Sequence, residues 1–433
     1  MQSVAKFILI VNISLLTSCF FGPVKELKIQ IEDSWQDDSI PENPTPLNDA
    51  PAINSTKLWE QSLGSKTDDN LEFSICDNKL FIASSEGSIF SINPLNGNIS
   101  WEKNINTKII AGVSCNKKNI FFVTEDGFVQ ALDHQGEVLW RVLVGQIYSK
   151  PFVQDNSLIV KTISNEFVSL NEDTGNQNWI YRSPSPPLTL KSWGKINASE
   201  GVIFAGLPSG KCLALDLNSG ALLWETTFSQ PKGSTDIDRA NDTTSQPVVV
   251  GPFLFVVASK GNLAMLDKKT GEVFWTRALS SFYELEKNNE SIFVVHNSGA
   301  IYSVSMQTSK VNWRNSEYLN RNIRQVTLLN KNIIVGDYDG FLHYVDIVSG
   351  KTIGREKISS SSIINIKLVE NKLIILDSSN NLFSFLVEDD KIDLSNHNNS
   401  NHSNKIIDNE ETSKVIKSSE QEESFLDELI FWD

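Results

Sequence analysis

An all-β fold, an eight-bladed β-propeller of four-stranded antiparallel blades, is predicted by three features of this 433-residue sequence. Seven tryptophans, Trp59, Trp101, Trp140, Trp179, Trp224, Trp275 and Trp313, recur at intervals of 42, 39, 39, 45, 51 and 38 residues. The repeat around them takes the form LDxxxGxxxW, as in "LALDLNSGALLW" and "LAMLDKKTGEVFW". The apolar runs between glycine-marked turns are short and rich in Ile, Val and Phe, which argues strand and excludes the longer helical period. A period near forty with such strands is that of propeller blades.

Within a unit such as "IIAGVSCNKKNIFFVTEDGFVQALDHQGEVLWRVLV" four strands can be drawn. The second and third meet at a tight turn found eight times: Glu86-Gly87, Asp126-Gly127, Asn165-Glu166, Ser209-Gly210, Lys260-Gly261, Ser298-Gly299, Asp339-Gly340 and Asn380-Asn381. Eight turns mean eight blades, with glycine supplying the positive φ that tight turns need. The next turn carries Asp133, Asp216, Asp267 or Asp346, whose carboxylates accept from backbone N–H groups just downstream. Tryptophan then falls on the outermost strand, where a flat indole packed on the neighbouring blade buries roughly 150–250 Å². The seven are read as a structural ring of inter-blade wedges.

The ends of the repeat predict how the ring closes. The eighth unit, "SSIINIKLVENKLIILDSSNNLFSFLVE", supplies three strands and no tryptophan, while "TKLWEQSL" around Trp59 is a fourth strand with nothing before it. The N-terminal strand is therefore expected to complete the C-terminal blade, removing the exposed edge of an open array. The propeller spans 57–388.

Residues 1–18 hold one basic residue, Lys6, and the apolar run "FILIVNISLL", then "LTSC". Too short to span a membrane, the segment reads as a lipoprotein signal peptide ending before Cys19. Acylation of Cys19 would hold the chain on a bilayer, since several acyl chains each contribute about 0.8 kcal/mol per buried CH₂. Residues 19–56, with Pro23, Pro41, Pro44, Pro46 and Pro51, are expected to form a disordered tether behind that cysteine.

The stretch 389–433 is expected to be an acidic disordered tail. In its last part, 421–433, Phe425, Leu426, Leu429, Ile430 and Trp432 fall near helical spacing. This is either a short docking helix that folds on a partner or a sticky end packed on its own propeller. The two ends hold nearly all of the net charge of −15, leaving the propeller close to neutral. No basic patch points to nucleic acid.

Chemistry-bearing motifs are sparse. His134, His296, His343, His397 and His402 lack metal-ligand spacing, and CxxC, HExxH, GxSxG and phosphate-loop patterns are absent. No cofactor or metal is expected. Apart from Cys19, three cysteines remain, an odd number. Cys76 and Cys115, at equivalent first-strand positions of adjacent blades, are read as small buried hydrophobes rather than a disulfide.

The repeat resembles the pyrroloquinoline-quinone-type propeller with its tryptophan-docking motif. Eight blades behind a lipoprotein signal resemble the BamB family of outer-membrane assembly factors, and "GSTDIDRANDTTSQPVV" (233–249) resembles a long inter-blade loop of that family. The resemblance implies a non-enzymatic scaffold on the periplasmic face of the outer membrane. Its partners would be the periplasmic domains of the insertase BamA, other assembly-machinery lipoproteins and nascent outer-membrane proteins.

It also implies partner-binding residues on two neighbouring loops. In "PPLTLKSWG" these are Leu188, Leu190 and Lys191, the lysine standing where arginine is usual. In the second loop they are Asp238, Arg239 and Asp242, with Thr244 where a further aspartate is usual. Quinone-dependent dehydrogenases share the propeller type, as would a solute- or stress-sensing propeller. The enzymes commonly carry a vicinal Cys-Cys pair, absent here.

Overall fold

The computed structural model describes residues 43–64, 71–184, 186, 194–231, 234–235 and 240–386. Regular structure among them is strand throughout, in eight four-stranded antiparallel sheets. The chain divides into two units, Met1–Ile392 and Asp393–Asp433. The second lies outside the described residues, as do the expected signal peptide, Cys19, the early tether and the 421–433 segment.

Blade one runs Ser74–Cys76, Lys79–Ala83, Ser88–Ile92 and Ile99–Asn104, and the following blades repeat that order. The second and third strands are apolar on both faces because neighbouring blades cover both. Asn119–Thr124 ("NIFFVT") is buried at every position, as expected of strands without a solvent face. In Val138–Leu143 ("VLWRVL"), an outermost strand, the tryptophan alone is buried. Between blades two and three, Phe121, Val123, Leu158, Val160, Val168 and Leu170 form one such inter-blade core.

Seven of the eight tight turns contain a positive-φ residue: Gly87, Gly127, Gly210, Gly299 and Gly340, and, where glycine is missing, Asn165 and Asn380. The expectation fails at Lys260-Gly261, whose glycine does not take positive φ. Asp133 Oδ1 accepts from the backbone N–H groups of Gln135 (2.9 Å) and Glu137 (2.8 Å), and Asp267 Oδ1 from Lys269 (2.8 Å) and Thr270 (2.7 Å).

Each tryptophan fastens its blade to the next. The indole N–H of Trp140 donates to Glu172 O at 3.0 Å, that of Trp179 to Leu217 O at 3.0 Å and that of Trp224 to Lys268 O at 3.1 Å. Trp59, Trp101, Trp275 and Trp313 do the same to Pro94, His134, Met306 and Ile347. Every acceptor lies in the turn between the third and outermost strands of the next blade. A glycine of that turn lies flat against the ring: a Cβ on Gly175 would stand 2.7 Å from Trp140. The sixth blade departs, using Ser309 at φ +59° in place of the glycine.

Ring closure follows the sequence expectation. Thr56–Ser62 pairs antiparallel with Asn381–Leu386, Trp59 opposite Ser384. This arrangement explains why seven tryptophans serve eight blades. The third strand of blade eight ends at Leu386 and its outer neighbour comes from the other end of the chain, so blade eight has no third-to-outermost turn to receive an indole. Blade seven accordingly carries Gly354, opposite Tyr344, at the position where Trp101 stands opposite Ser91.

Two expectations are corrected. Cys76 and Cys115 form a disulfide across 39 residues, with Cα atoms 6.1 Å apart, joining the innermost strands of blades one and two. First strands converge at the axis, so equivalent residues of adjacent blades come within bridging distance. Cys212 remains a buried thiol.

The second correction concerns residues 43–55, read as part of the tether, which lie along the outer edge of blade seven. Thr45 N donates to Leu319 O (3.0 Å), Arg355 N to Pro51 O (2.9 Å) and Ile53 N to Arg355 O (2.9 Å). Ser55 N donates to the Glu356 carboxylate at 3.0 and 3.1 Å. The outermost strand of a sheet offers unpaired backbone groups, and the segment satisfies them with its remaining amides and with the Pro51 carbonyl.

Candidate functional site: an inter-blade loop face and a charged axis

Two connections, 183–195 between blades three and four and 228–247 between blades four and five, carry the expected partner-binding residues. Both run from an outermost strand to the next innermost strand, so they emerge on the same face of the ring. Leu188, Leu190, Lys191, Asp238 and Arg239 lie outside the described residues.

The base of the second loop is built into the core. Asn241 Nδ2 donates to Ser229 O (3.2 Å) and Ser229 Oγ (3.0 Å), and its Oδ1 accepts from Lys260 N (3.0 Å). Thr243 N donates to Leu207 O (3.1 Å) and Ser259 N to Asp242 O (2.8 Å). Gly206 lets this segment pass, since a Cβ there would strike Thr243.

Asp242 therefore sits differently from the expectation. It is only 1 % exposed, and it acts on Lys161, a buried residue of blade three whose Nζ donates to Gly206 O at 2.8 Å. Burial drives Lys161 down to about 8, and the Asp242 carboxylate opposes that fall. A polar run such as "RANDTTSQ" reads as exposed from sequence. Here Asn241 is buried because its amide satisfies backbone groups of neighbouring segments, and Asp242 because its charge acts on Lys161. Thr244 turns its hydroxyl to Phe282 O at 3.1 Å.

A second constellation was not foreseen. Glu72, Lys150, Lys195, Glu284 and Lys367 meet at a cavity of about 640 Å³ lined by residues of innermost strands. Lys195, at the exit of the first loop, bridges Glu72 and Glu284. Lys150 and Lys367 approach Glu72 Oε2 at 3.6 and 4.0 Å. Burial alone would raise the Glu72 carboxyl, but Lys195, Lys150 and Lys367 together hold it far below the usual carboxylate range. The available signal was a lone charge beside innermost apolar strands, as in "NLEFSI", "YSKPFV" and "WGKINA". Among the described residues no three His, Cys, Asp or Glu side chains are grouped to hold a metal ion.

A closed eight-bladed ring with tryptophan-docked turns and short connections, two of them long on one face, defines a propeller of the quinoprotein-like type. The family model described as outer membrane protein assembly factor BamB matches residues 51–146 and 85–315. The chain belongs to this family. It is similar to the assembly factor BamB of Shewanella oneidensis, 30% identical over 360 residues, covering 78% of this chain and 91% of that protein. To that of Burkholderia pseudomallei it is 29% identical over 346 residues, covering 79% and 91%.

Among solved structures, BamB from Moraxella catarrhalis superposes with a TM-score of 0.71 at 23% identity, covering 77% of this chain and all of that one. The quinohemoprotein alcohol dehydrogenase of Comamonas testosteroni superposes with 0.63 at 10% identity, covering 82% and 78%. These two likenesses are of fold.

Proposed function

We propose that this chain is a non-enzymatic scaffold lipoprotein of outer-membrane protein assembly, anchored through Cys19 on the periplasmic face of the outer membrane. It binds the periplasmic domains of the insertase BamA and works beside the other lipoproteins of that machinery. The observation that supports this reading most is the family match through the blades that carry both long loops. The buried base of the second loop adds to it: Asn241, Asp242 and Ser229 fix where the connection leaves and rejoins the blades, which lowers the ordering cost of binding.

In this reading Leu188, Leu190, Lys191, Asp238 and Arg239 form the contact, whereas Asp242 supports the loop from beneath. Lys191 keeps the charge of the usual arginine but gives up its bidentate geometry. The disulfide between Cys76 and Cys115 accords with an oxidising compartment such as the periplasm.

The test is co-purification from membranes. Wild-type chain should bring down the BamA insertase from outer-membrane fractions, and Cys19→Ser chain should leave that fraction for the soluble one. An unanchored, non-acylated wild-type chain that still fractionates with the membrane would contradict the anchor. Absence of the insertase from the wild-type pull-down would contradict the partner.

A further inference from the structure

Lys150 and Lys367 are arranged around the axis in a way that the internal ion pairs do not use up. Lys195 makes close contacts with both Glu72 and Glu284. Lys150 and Lys367 both face the same oxygen, Glu72 Oε2, from 3.6 and 4.0 Å, well beyond the 2.7–2.9 Å or so of a charge-assisted hydrogen bond. Their direct hydrogen bonds go elsewhere, from Lys150 to Ser74 Oγ at 2.9 Å and from Lys367 to Phe73 O at 2.7 Å. An ammonium has three donors, so each keeps donors for another acceptor.

Burial acts on the cluster's charge as well. Glu284 and Glu286 also line the cavity, and burial pushes the Glu286 carboxyl up. Burial, then Lys367, bring Lys150 down to about 7, more than Glu72 restores. The cluster resists holding its full positive charge without a further anion.

The space beside these lysines, lined also by Asn365, is about 640 Å³, within the range of small-molecule sites.

We propose that the axial cavity binds a small anion, its carboxylate or phosphate group held between Lys150 and Lys367. Lys150 and Lys367 belong to neither of the two long connections. An occupied axis would join blades three and eight through one ligand.

Calorimetric titration of the purified propeller tests this, with glycerol 3-phosphate, inorganic phosphate and lactate as the anionic probes and glycerol as the neutral control. The expected result is saturable one-to-one binding of glycerol 3-phosphate and inorganic phosphate, or of lactate, and none of glycerol. The arm that saturates tells phosphate from carboxylate. At pH 8 binding should take up protons, read from the dependence of the heat on the buffer's ionisation enthalpy, because an anion beside Lys150 draws a proton onto it.

Lys150→Gln and Lys367→Gln should each weaken binding at least tenfold. No saturable heat with any anion, or proton-neutral binding in the wild type, would overturn the proposal, as would wild-type affinity in the folded lysine variants. The same variants should bind BamA's domains as the wild type does, so this inference and the scaffold reading fail separately.

Discussion

Ile53 packs against Gly354, the one outermost-strand position of this kind that lacks tryptophan; a Cβ on Gly354 would lie 2.5 Å from Ile53 Cδ1. Ile53 joins Tyr344, Ile363, Phe383 and Phe385 in the core between blades seven and eight. Just before the strand that closes the ring, the chain thus fills the junction where no turn exists to receive an indole.

Ile53→Ala should lower stability by about 1–2 kcal/mol, less than the 2–5 of a fully buried site because the side chain is half-buried. Ala52→Ser, at an exposed neighbour, should be neutral. Thermal unfolding of the two variants decides it, and equal melting of Ile53→Ala and wild type would exclude residues 43–55 from the ring's closure.

Ser309 offers a stabilising change. It holds φ +59° in the turn that receives Trp275, where other blades use glycine. A left-handed conformation costs a non-glycine residue about 1–2 kcal/mol, partly offset by the extra freedom glycine has when unfolded. Ser309→Gly is expected to stabilise by up to about 1 kcal/mol. The reverse change, Gly220→Ser in the turn beneath Trp179, is expected to destabilise by more, since its Cβ would also strike the indole. Chemical denaturation of both variants checks the signs.

The disulfide between Cys76 and Cys115 closes a 39-residue separation, for which loop-closure entropy suggests a contribution of about 4 kcal/mol. Cys76→Ser should lose most of it under non-reducing conditions. Thiol titration of a chain without Cys19 should find one free thiol, Cys212, and only after unfolding, since Cys212 is buried and burial pushes its thiol up to about 12. Three reactive thiols in the unreduced, unfolded chain would contradict the pairing.

Lys161 makes stability depend on pH in a predictable direction. Its folded value, about 8, lies below its ordinary one. Below pH 8 both states hold the proton and the cost of burying the charge is present in full. Between about 8 and 10.4 only the unfolded chain holds it, so stability rises with pH, by at most about 1.4 kcal/mol per unit from this group. Lys161→Met should flatten that rise, whereas Asp242→Asn should destabilise by roughly 3 kcal/mol near neutrality by leaving Lys161 uncompensated. Identical melting-versus-pH slopes for wild type and Lys161→Met would refute this.

The propeller was legible because its determinants are local and repeated. Trp101, Trp140 and their counterparts mark one strand per blade, Gly87 and Asn380 mark one turn, and the unmatched ends around Trp59 and Leu386 imply closure. What escaped depends on proximity across blades. The approach of Cys76 to Cys115, the seating of Ile53 on Gly354 and the meeting of Glu72 with Lys367 each join residues that share no sequence pattern. Asp242 was legible as a loop residue but not as a buried one, because a polar run does not reveal which backbone groups it will satisfy.

The central claim, that the two loops on one face bind the insertase, is tested most directly by titrating the purified propeller against the periplasmic domains of BamA. Leu190→Asp and Arg239→Glu should each weaken affinity at least tenfold with little change in melting temperature, since a central interface side chain contributes about 2 kcal/mol or more and a surface change shifts stability by only about 0.5. Asp242→Asn should weaken binding only together with a fall in melting temperature. Wild-type affinity in folded Leu190→Asp and Arg239→Glu would remove this face as the binding site.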